Sequence, residues 1–124
     1  MKKILITGAT GQIGSELTIA LRQVYGEANV VAVGHRRQPD SELLASGPYR
    51  SINVLEAAKL KQAVSEYRVD TIFHLVSLLS AEAEKQPQLA WEINMGGLMS
   101  VLEAARESRC AVFFPSSISA FGPG

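Results

Sequence analysis

Two patterns of apolar residues alternate along the chain. Short continuous apolar runs are separated by longer segments in which apolar residues recur every third or fourth position. A continuous run predicts a strand that is covered on both faces, and the longer spacing predicts an amphipathic helix. The predicted strands are Lys2–Thr7, Asn29–Val33, Ser51–Val54, Val69–Leu75 and Ala111–Phe114, and the predicted helices are Gln12–Tyr25, Glu56–Tyr67 and Leu89–Ser108.

The spacing also predicts which face of each helix packs on the rest of the protein. For the first helix the predicted apolar face is Ile13, Leu17, Ala20, Leu21 and Val24. For the last helix it is Trp91, Met95, Leu98, Leu102 and Ala105. The segment from Gly34 to Arg50 has two prolines and two glycines among polar residues, and we expect an irregular connection there.

Strands and helices alternate throughout the sequence. This order requires a parallel sheet, because consecutive parallel strands need a crossover connection and that crossover is right-handed. A length of 124 residues fits one domain. The predicted fold class is therefore α/β, with a doubly wound parallel sheet.

Composition indicates which cellular compartment and which classes of binding partner to expect. Twelve basic residues balance twelve acidic ones, so net charge gives no reason to expect a nucleic acid or an anionic membrane as partner. The apolar runs are far too short to span a bilayer. The single cysteine excludes a disulfide within the chain and favours a reducing compartment, so we expect a cytoplasmic protein.

The clearest chemical signal is the glycine loop "ITGATGQIGSEL". Gly8, Gly11 and Gly14 stand between the first strand and the first helix, where a dinucleotide-binding fold needs a tight turn, a close approach to the pyrophosphate and close packing of helix on strand. The helix N-terminus beyond them offers unpaired N–H groups to phosphates. Gln12 and Ile13 lie at that N-terminus, and we assign them to cofactor binding with the three glycines.

Four motifs in this chain resemble those of the extended short-chain dehydrogenase/reductases, the NAD-dependent epimerase/dehydratase type. They are the glycine loop, "IFHLVSLLSA", "WEINMGGLMSVLEAA" and "PSSISAFGP". Within that branch, "FHLVSLLSA" and "PSSISAFGP" are most similar to short-chain L-threonine 3-dehydrogenases. The resemblance implies oxidation of the threonine 3-hydroxyl to 2-amino-3-ketobutyrate with NAD. Nucleotide-sugar epimerases or dehydratases and a non-catalytic dinucleotide sensor are the alternatives.

The choice between NAD and NADP stays open in the sequence. The family's usual ribose-binding aspartate aligns with Gly34, and Arg36 and Arg37 could instead pair with a 2′-phosphate. NAD is the default that the resemblance implies, and NADP is the rival. The resemblance also implies that Asn53 binds the adenine. The other predicted cofactor-binding residues are Val54, Leu75 and Asn94.

The resemblance further assigns the catalytic chemistry. Ser117 aligns with the catalytic serine and Ser116 with its neighbour, and Ser80 is expected to contact substrate. No tyrosine in the chain is followed by lysine four residues later, so the Tyr-x-x-x-Lys base is missing. We therefore expect residues 1–124 to be a cofactor-binding part that cannot turn over alone. The resemblance implies a homodimer of the parent protein through its long helix. His74 is predicted to be a packed histidine.

Overall fold

The computed structural model describes residues 2–35, 39–75 and 87–113. Within these ranges five strands form one parallel sheet in the order β3-β2-β1-β4-β5. The strands are β1 (Ile4–Thr7), β2 (Val30–Gly34), β3 (Tyr49–Ser51), β4 (Thr71–His74) and β5 (Ala111–Phe113). The helices are α1 (Gln12–Tyr25), α2 (Ser41–Ala45), α3 (Ala57–Glu66) and α4 (Pro87–Ser108), with a short 3₁₀ turn at Glu27–Asn29. The prediction of a doubly wound parallel sheet is confirmed.

The sheet separates two hydrophobic cores, because successive side chains of a strand point to opposite faces. Leu5, Val31 and Ile72 lie on the face that packs against α3 and α4. Ile4 and Val30 lie on the other face, with α1 and α2. Both faces of the three central strands are therefore covered, which explains why these strands read as continuous apolar runs.

The third strand begins and ends earlier than predicted. The sequence predicted Ser51–Val54, whereas β3 is Tyr49–Ser51 and pairs with the end of β2. After Ser51 the chain leaves the sheet, because Asn53 forms a turn in which its Oδ1 accepts from the N–H of Leu55 (3.0 Å). Ile52 and Val54 were misread as strand residues, since a turn with apolar residues has the same local pattern.

The predicted irregular connection contains a short helix. Asp40 caps α2 by accepting a hydrogen bond from the N–H of Leu43 (2.8 Å), and Leu43 is fully buried. Aspartate at this position is a standard helix-start signal. One turn of helix with one buried leucine is too short to give a periodic pattern, so the sequence analysis missed it.

The predicted apolar face of α1 is right only in part: Leu21 packs against the core. Ile13 and Val24 are 74% and 72% exposed, whereas the buried positions are Gly14, Thr18 and Arg22. Arg22 is buried because its guanidinium donates to the carbonyl oxygens of Val30 (3.1 Å), Leu43 (2.7 Å) and Pro48 (2.6 Å), and to Ser46 Oγ (2.9 Å). This one side chain joins α1, β2, α2 and the segment that leads into β3.

The predicted face of α4 is right in part. Ala105 is buried with Val101 and Ala104 against α3 and the sheet, but Met95 and Leu102 are about two-fifths exposed. Met99 is more exposed still. The side chain of Trp91 lies outside the described ones. Across the described ranges, no helix combines the length and the apolar character that crossing a membrane requires.

Candidate functional site at the glycine loop

The loop between β1 and α1 lies at the carboxyl end of the sheet. The N–H of Ala9 donates to the carbonyl oxygen of Val33 (3.0 Å), which fixes the loop against the end of β2. The N–H of Gly11 donates to the carbonyl oxygen of Gly8 (3.2 Å), and Gly11 is the N-cap of α1 without a side-chain cap. The first N–H groups of a helix have no partner within it. The start of α1 therefore presents donors and the positive end of its dipole at this edge.

The three glycines of the loop are there for different physical reasons. Gly8 has a φ of +69°, a conformation that favours glycine. Gly14 has no room for a side chain, since a Cβ there would lie 2.1 Å from the carbonyl oxygen of Gly8. Gly11 meets neither constraint: its φ is −73°, and a Cβ would make ordinary contact at 3.4 Å.

Nothing in the folded chain therefore requires glycine at position 11. A residue without a side chain at a helix N-terminus leaves the N–H groups open to a ligand that approaches the backbone closely. The open backbone at Gly11, the N-cap of α1, is therefore compatible with a loop that binds phosphate. The loop suits the pyrophosphate of a dinucleotide, with Gln12 and Ile13 at its rim. Ile13 is exposed there, and the side chain of Gln12 lies outside the described ones.

A second part of the site is the end of β2, where Gly34 stands in place of the family's usual ribose-binding aspartate. Gly34 is buried, and a Cβ there would lie 2.6 Å from Thr10 Cγ2 and 2.8 Å from Tyr49 Oη. The space that a carboxylate would need is thus taken by two neighbouring side chains. Arg36 and Arg37, the predicted partners of a 2′-phosphate, lie outside the described residues.

The turn after β3 brings Asn53 and Val54 towards α4. A Cβ on Gly97 would lie 2.8 Å from Val54 Cγ2, and a Cβ on Gly96 would lie 2.6 Å from Leu55 Cδ2. Two adjacent glycines therefore allow α4 to approach the turn closely. The predicted adenine contact Asn53 is half-buried. Asn94 belongs to α4, but its side chain lies outside the described ones.

His74 ends β4 beside Thr7, which ends β1. Thr7 Oγ1 and His74 Nδ1 are 2.7 Å apart, and the N–H of Leu75 donates to Thr7 Oγ1 (3.2 Å). Burial lowers the pKa of His74 from 6.5 to about 4, so the imidazole is neutral at pH 7. The prediction of a packed histidine is confirmed. Leu75, a predicted cofactor contact, follows directly at the same edge and is half-buried.

The low pKa of His74 makes stability depend on pH. Below pH 6.5 the unfolded chain takes up a proton on this histidine that the folded chain does not take up until about pH 4. The free energy of unfolding should therefore fall, by about 3 kcal/mol for this group, as pH drops through that window. We expect His74→Gln to remove that part of the dependence in urea unfolding at pH 7 and pH 4. The exposed His35→Gln is the control, and an unchanged slope in His74→Gln would contradict the assignment.

The structure does not describe the remaining predicted site residues. Ser80, Ser116 and Ser117 lie outside the described residues. Conversely, sequence reasoning missed Thr10, Tyr49 and Arg22. A signal for Arg22 existed, because it follows Gly14 and Thr18 at a spacing of four and so continues their stripe on the helix. No sequence signal would have placed Tyr49 beside Gly34, since that contact depends on the register of β3 on β2.

The strand order, the helix layers and the glycine loop define a Rossmann-like domain. Comparison with known proteins agrees. Residues 4–124 match the model of the NAD dependent epimerase/dehydratase family, and the chain belongs to that family. A curated uncharacterised epimerase/dehydratase of Staphylococcus saprophyticus is 49% identical over 123 residues, which cover 99% of this chain and 38% of that protein.

Two solved structures are similar to this chain in both sequence and fold. The L-threonine dehydrogenase of Clostridium difficile is 52% identical, with a TM-score of 0.88 over 98% of this chain and 38% of its own. A GalE-like L-threonine dehydrogenase from Cupriavidus necator, solved in its holo form, is 41% identical, with a TM-score of 0.84 over 98% of this chain and 39% of its own. The chain thus spans less than two-fifths of the length of the relatives that it matches.

Proposed function

We propose that the protein that carries this chain is an NAD(P)-dependent oxidoreductase that converts the 3-hydroxyl of L-threonine to the ketone of 2-amino-3-ketobutyrate. Residues 1–124 are its dinucleotide-binding domain. The observation that carries the dinucleotide is Gly11, a glycine that the fold itself does not need. The substrate rests on the likeness to L-threonine dehydrogenases at 52% and 41% identity.

The residues of this chain bind and orient the cofactor in this proposal. The backbone N–H groups of Gln12 and Ile13, at the start of α1, bind the pyrophosphate. The turn at Asn53 and Val54 holds the adenine, and Asn53 supports this because its amide has both a donor and an acceptor for the base. Leu75 and Asn94 contact the rest of the dinucleotide. When bound, the nicotinamide supplies the acceptor for the hydride.

The proton chemistry is divided between this chain and the rest of the protein. By its resemblance, Ser117 holds the threonine hydroxyl, with Ser116 and Ser80 contacting substrate. The chain contains no Tyr-x-x-x-Lys sequence, so we assign the general base to a part of the protein outside these residues. Residues 1–124 alone are accordingly expected to bind dinucleotide without turnover. We also propose a cytoplasmic homodimer, which the exposed Met95, Met99 and Leu102 of α4 support as an apolar contact surface.

The test uses the protein expressed from its complete reading frame. We expect L-threonine to cause reduction of NAD⁺ or NADP⁺, measured as a rise in near-ultraviolet absorbance. The rise should be absent with D-threonine and strongly reduced in Ser117→Ala. No rise with L-threonine and either cofactor, from protein that binds the dinucleotide, would contradict the assignment of threonine as substrate.

Epimerisation or dehydration of a nucleotide sugar is the second candidate, because the matching family is described by both activities. Such an epimerase returns the hydride to its substrate and therefore releases no reduced cofactor. Conversion of a UDP-hexose without accumulation of reduced nicotinamide would support this candidate. Threonine-dependent accumulation would favour the dehydrogenase.

A further inference from the structure

Five residues of α4 form an exposed stripe whose chemistry is symmetrical about its centre. They recur at alternating intervals of three and four positions, the spacing that allows one side of a helix to pack along another helix. The three central residues are apolar and between 38% and 60% exposed, and the two end residues are exposed charges of opposite sign. We call these residues the α4 stripe: Glu92, Met95, Met99, Leu102 and Arg106.

The α4 stripe is complementary to itself in the antiparallel orientation. Glu92 and Arg106 stand at equal distances in sequence on either side of Met99. When two copies of α4 pack antiparallel about Met99, Glu92 of each copy faces Arg106 of the other, whereas a parallel pair would bring like charges together. Neither Glu92 nor Arg106 forms an ion pair with any residue that the structure describes. Charges at the rim of a contact set its orientation more than its affinity, so the stripe fits a second copy of this chain.

Leu55 extends the α4 stripe to the turn that we propose holds the adenine. Leu55 is 44% exposed, and its Cδ2 lies 2.6 Å from the position of a Cβ at Gly96. Gly96 is four residues after Glu92 and three before Met99, so Leu55 lies against α4 directly beside the stripe. The N–H of Leu55 donates to Asn53 Oδ1 (3.0 Å) within the turn. A second copy packed on the stripe would therefore contact Leu55 and restrict the turn at Asn53.

We infer that the pairing of two copies along the α4 stripe and the binding of dinucleotide at the turn strengthen each other through Leu55. This inference rests on the proposed function, since it concerns the regulation of the same dinucleotide site. Its physical basis is that both events order the same turn, and the free-energy cost of ordering a loop is met only once when both occur. The coupling is reciprocal: pairing tightens dinucleotide binding by the factor by which dinucleotide tightens pairing.

The experiment compares the complete protein with its Met99→Glu variant. Sedimentation velocity measures the mass, and the fluorescence of the reduced nicotinamide measures the dissociation constants of NADH and NADPH. We expect the unmodified protein to be a dimer and Met99→Glu to be a folded monomer, because the change places two carboxylates together at the centre of the pair and Met99 is exposed within one copy. The dissociation constant of the tighter-binding dinucleotide should rise at least about fivefold in Met99→Glu.

Leu44→Glu is the matched control, because it makes the same change at another exposed apolar position. Leu44 is 52% exposed but belongs to α2, which lies on the opposite face of the sheet from α4. This variant should remain a dimer with an unchanged dissociation constant for the dinucleotide.

A double-mutant cycle with Leu55→Ala tests the route of the coupling. In the Leu55→Ala background, Met99→Glu should weaken dinucleotide binding by less than about twofold, because the contact that joins the stripe to the turn is already gone. Equal weakening in the two backgrounds would overturn the role of Leu55.

Three further results would overturn the inference: an unmodified protein that is a monomer, a Met99→Glu variant that stays a dimer, and a monomeric Met99→Glu that binds dinucleotide as tightly as the unmodified protein. Each of these, with threonine-dependent reduction of the nicotinamide retained, leaves the proposed oxidation of threonine intact. Failure of the unmodified protein to bind NADH or NADPH would contradict the proposed function and this inference together.

Discussion

Arg22→Met should lower the free energy of unfolding by about 3–5 kcal/mol. The substitution keeps the unbranched apolar stem of the side chain but removes every donor of the guanidinium. The carbonyl oxygens of Val30, Leu43 and Pro48 would each lose a donor at a buried junction, where lost hydrogen bonds are costly, although Pro48 would keep the N–H of Ala32 (3.0 Å). Urea denaturation followed by circular dichroism measures the change.

Arg106→Met is the matched control for this prediction. Arg106 also lies on a helix, in the last turn of α4, but it is exposed. Its replacement should change the free energy of unfolding by less than about 0.5 kcal/mol. Equal losses in the two variants would show that the buried hydrogen bonds of Arg22 do not stabilise the fold.

Gly14→Ala should be the second most damaging single change, with a loss of about 3 kcal/mol or more. The added methyl group would lie 2.1 Å from the carbonyl oxygen of Gly8 and 2.9 Å from Ala9 Cα. These are backbone atoms at the end of the central strand, so relief requires α1 to move away from the sheet. The shift in the midpoint of urea denaturation measures this cost.

Gly11→Ala is the control, because it adds the same methyl group three residues earlier. Its Cβ would make an ordinary 3.4 Å contact, and its φ of −73° suits alanine. The free energy of unfolding should therefore change by less than about 1 kcal/mol. A loss as large as that of Gly14→Ala would contradict our separation of the two glycines.

Much of the fold could be predicted because its signals are local or follow from chain order. The bounds of α1 are as predicted, since its repeating apolar residues begin after one glycine and end before another. The parallel sheet follows from the alternation of elements. Two features depend on tertiary contacts and could not be predicted. The carbonyl oxygens that bind the Arg22 guanidinium meet it only in the folded chain, although its spacing from Gly14 and Thr18 indicates its face of α1. The other feature is the end of β3, where the turn at Asn53 begins.

The candidate site also has a part that could be predicted from the sequence and a part that could not. The glycine loop was predicted with its position between strand and helix, because the motif is local. The sequence analysis assigned the three glycines separate reasons, namely a tight turn, a close approach to the pyrophosphate and close packing of helix on strand. In the structure Gly8 has a positive φ, Gly14 has no room for a Cβ, and Gly11 has neither constraint. The pair Thr10 and Tyr49 was not predicted, because it joins residues far apart in sequence through the pairing of β3 with β2.

The most direct measurement of the central claim is calorimetric titration of NAD⁺ and NADP⁺ into the complete protein and into its Gly11→Ala variant. We predict that the unmodified protein binds dinucleotide and that Gly11→Ala binds at least tenfold more weakly while it unfolds at the same urea concentration. This pairing would show that position 11 is kept free for a ligand. Equal affinity in the two proteins, or no binding by either, would contradict a dinucleotide site at this loop.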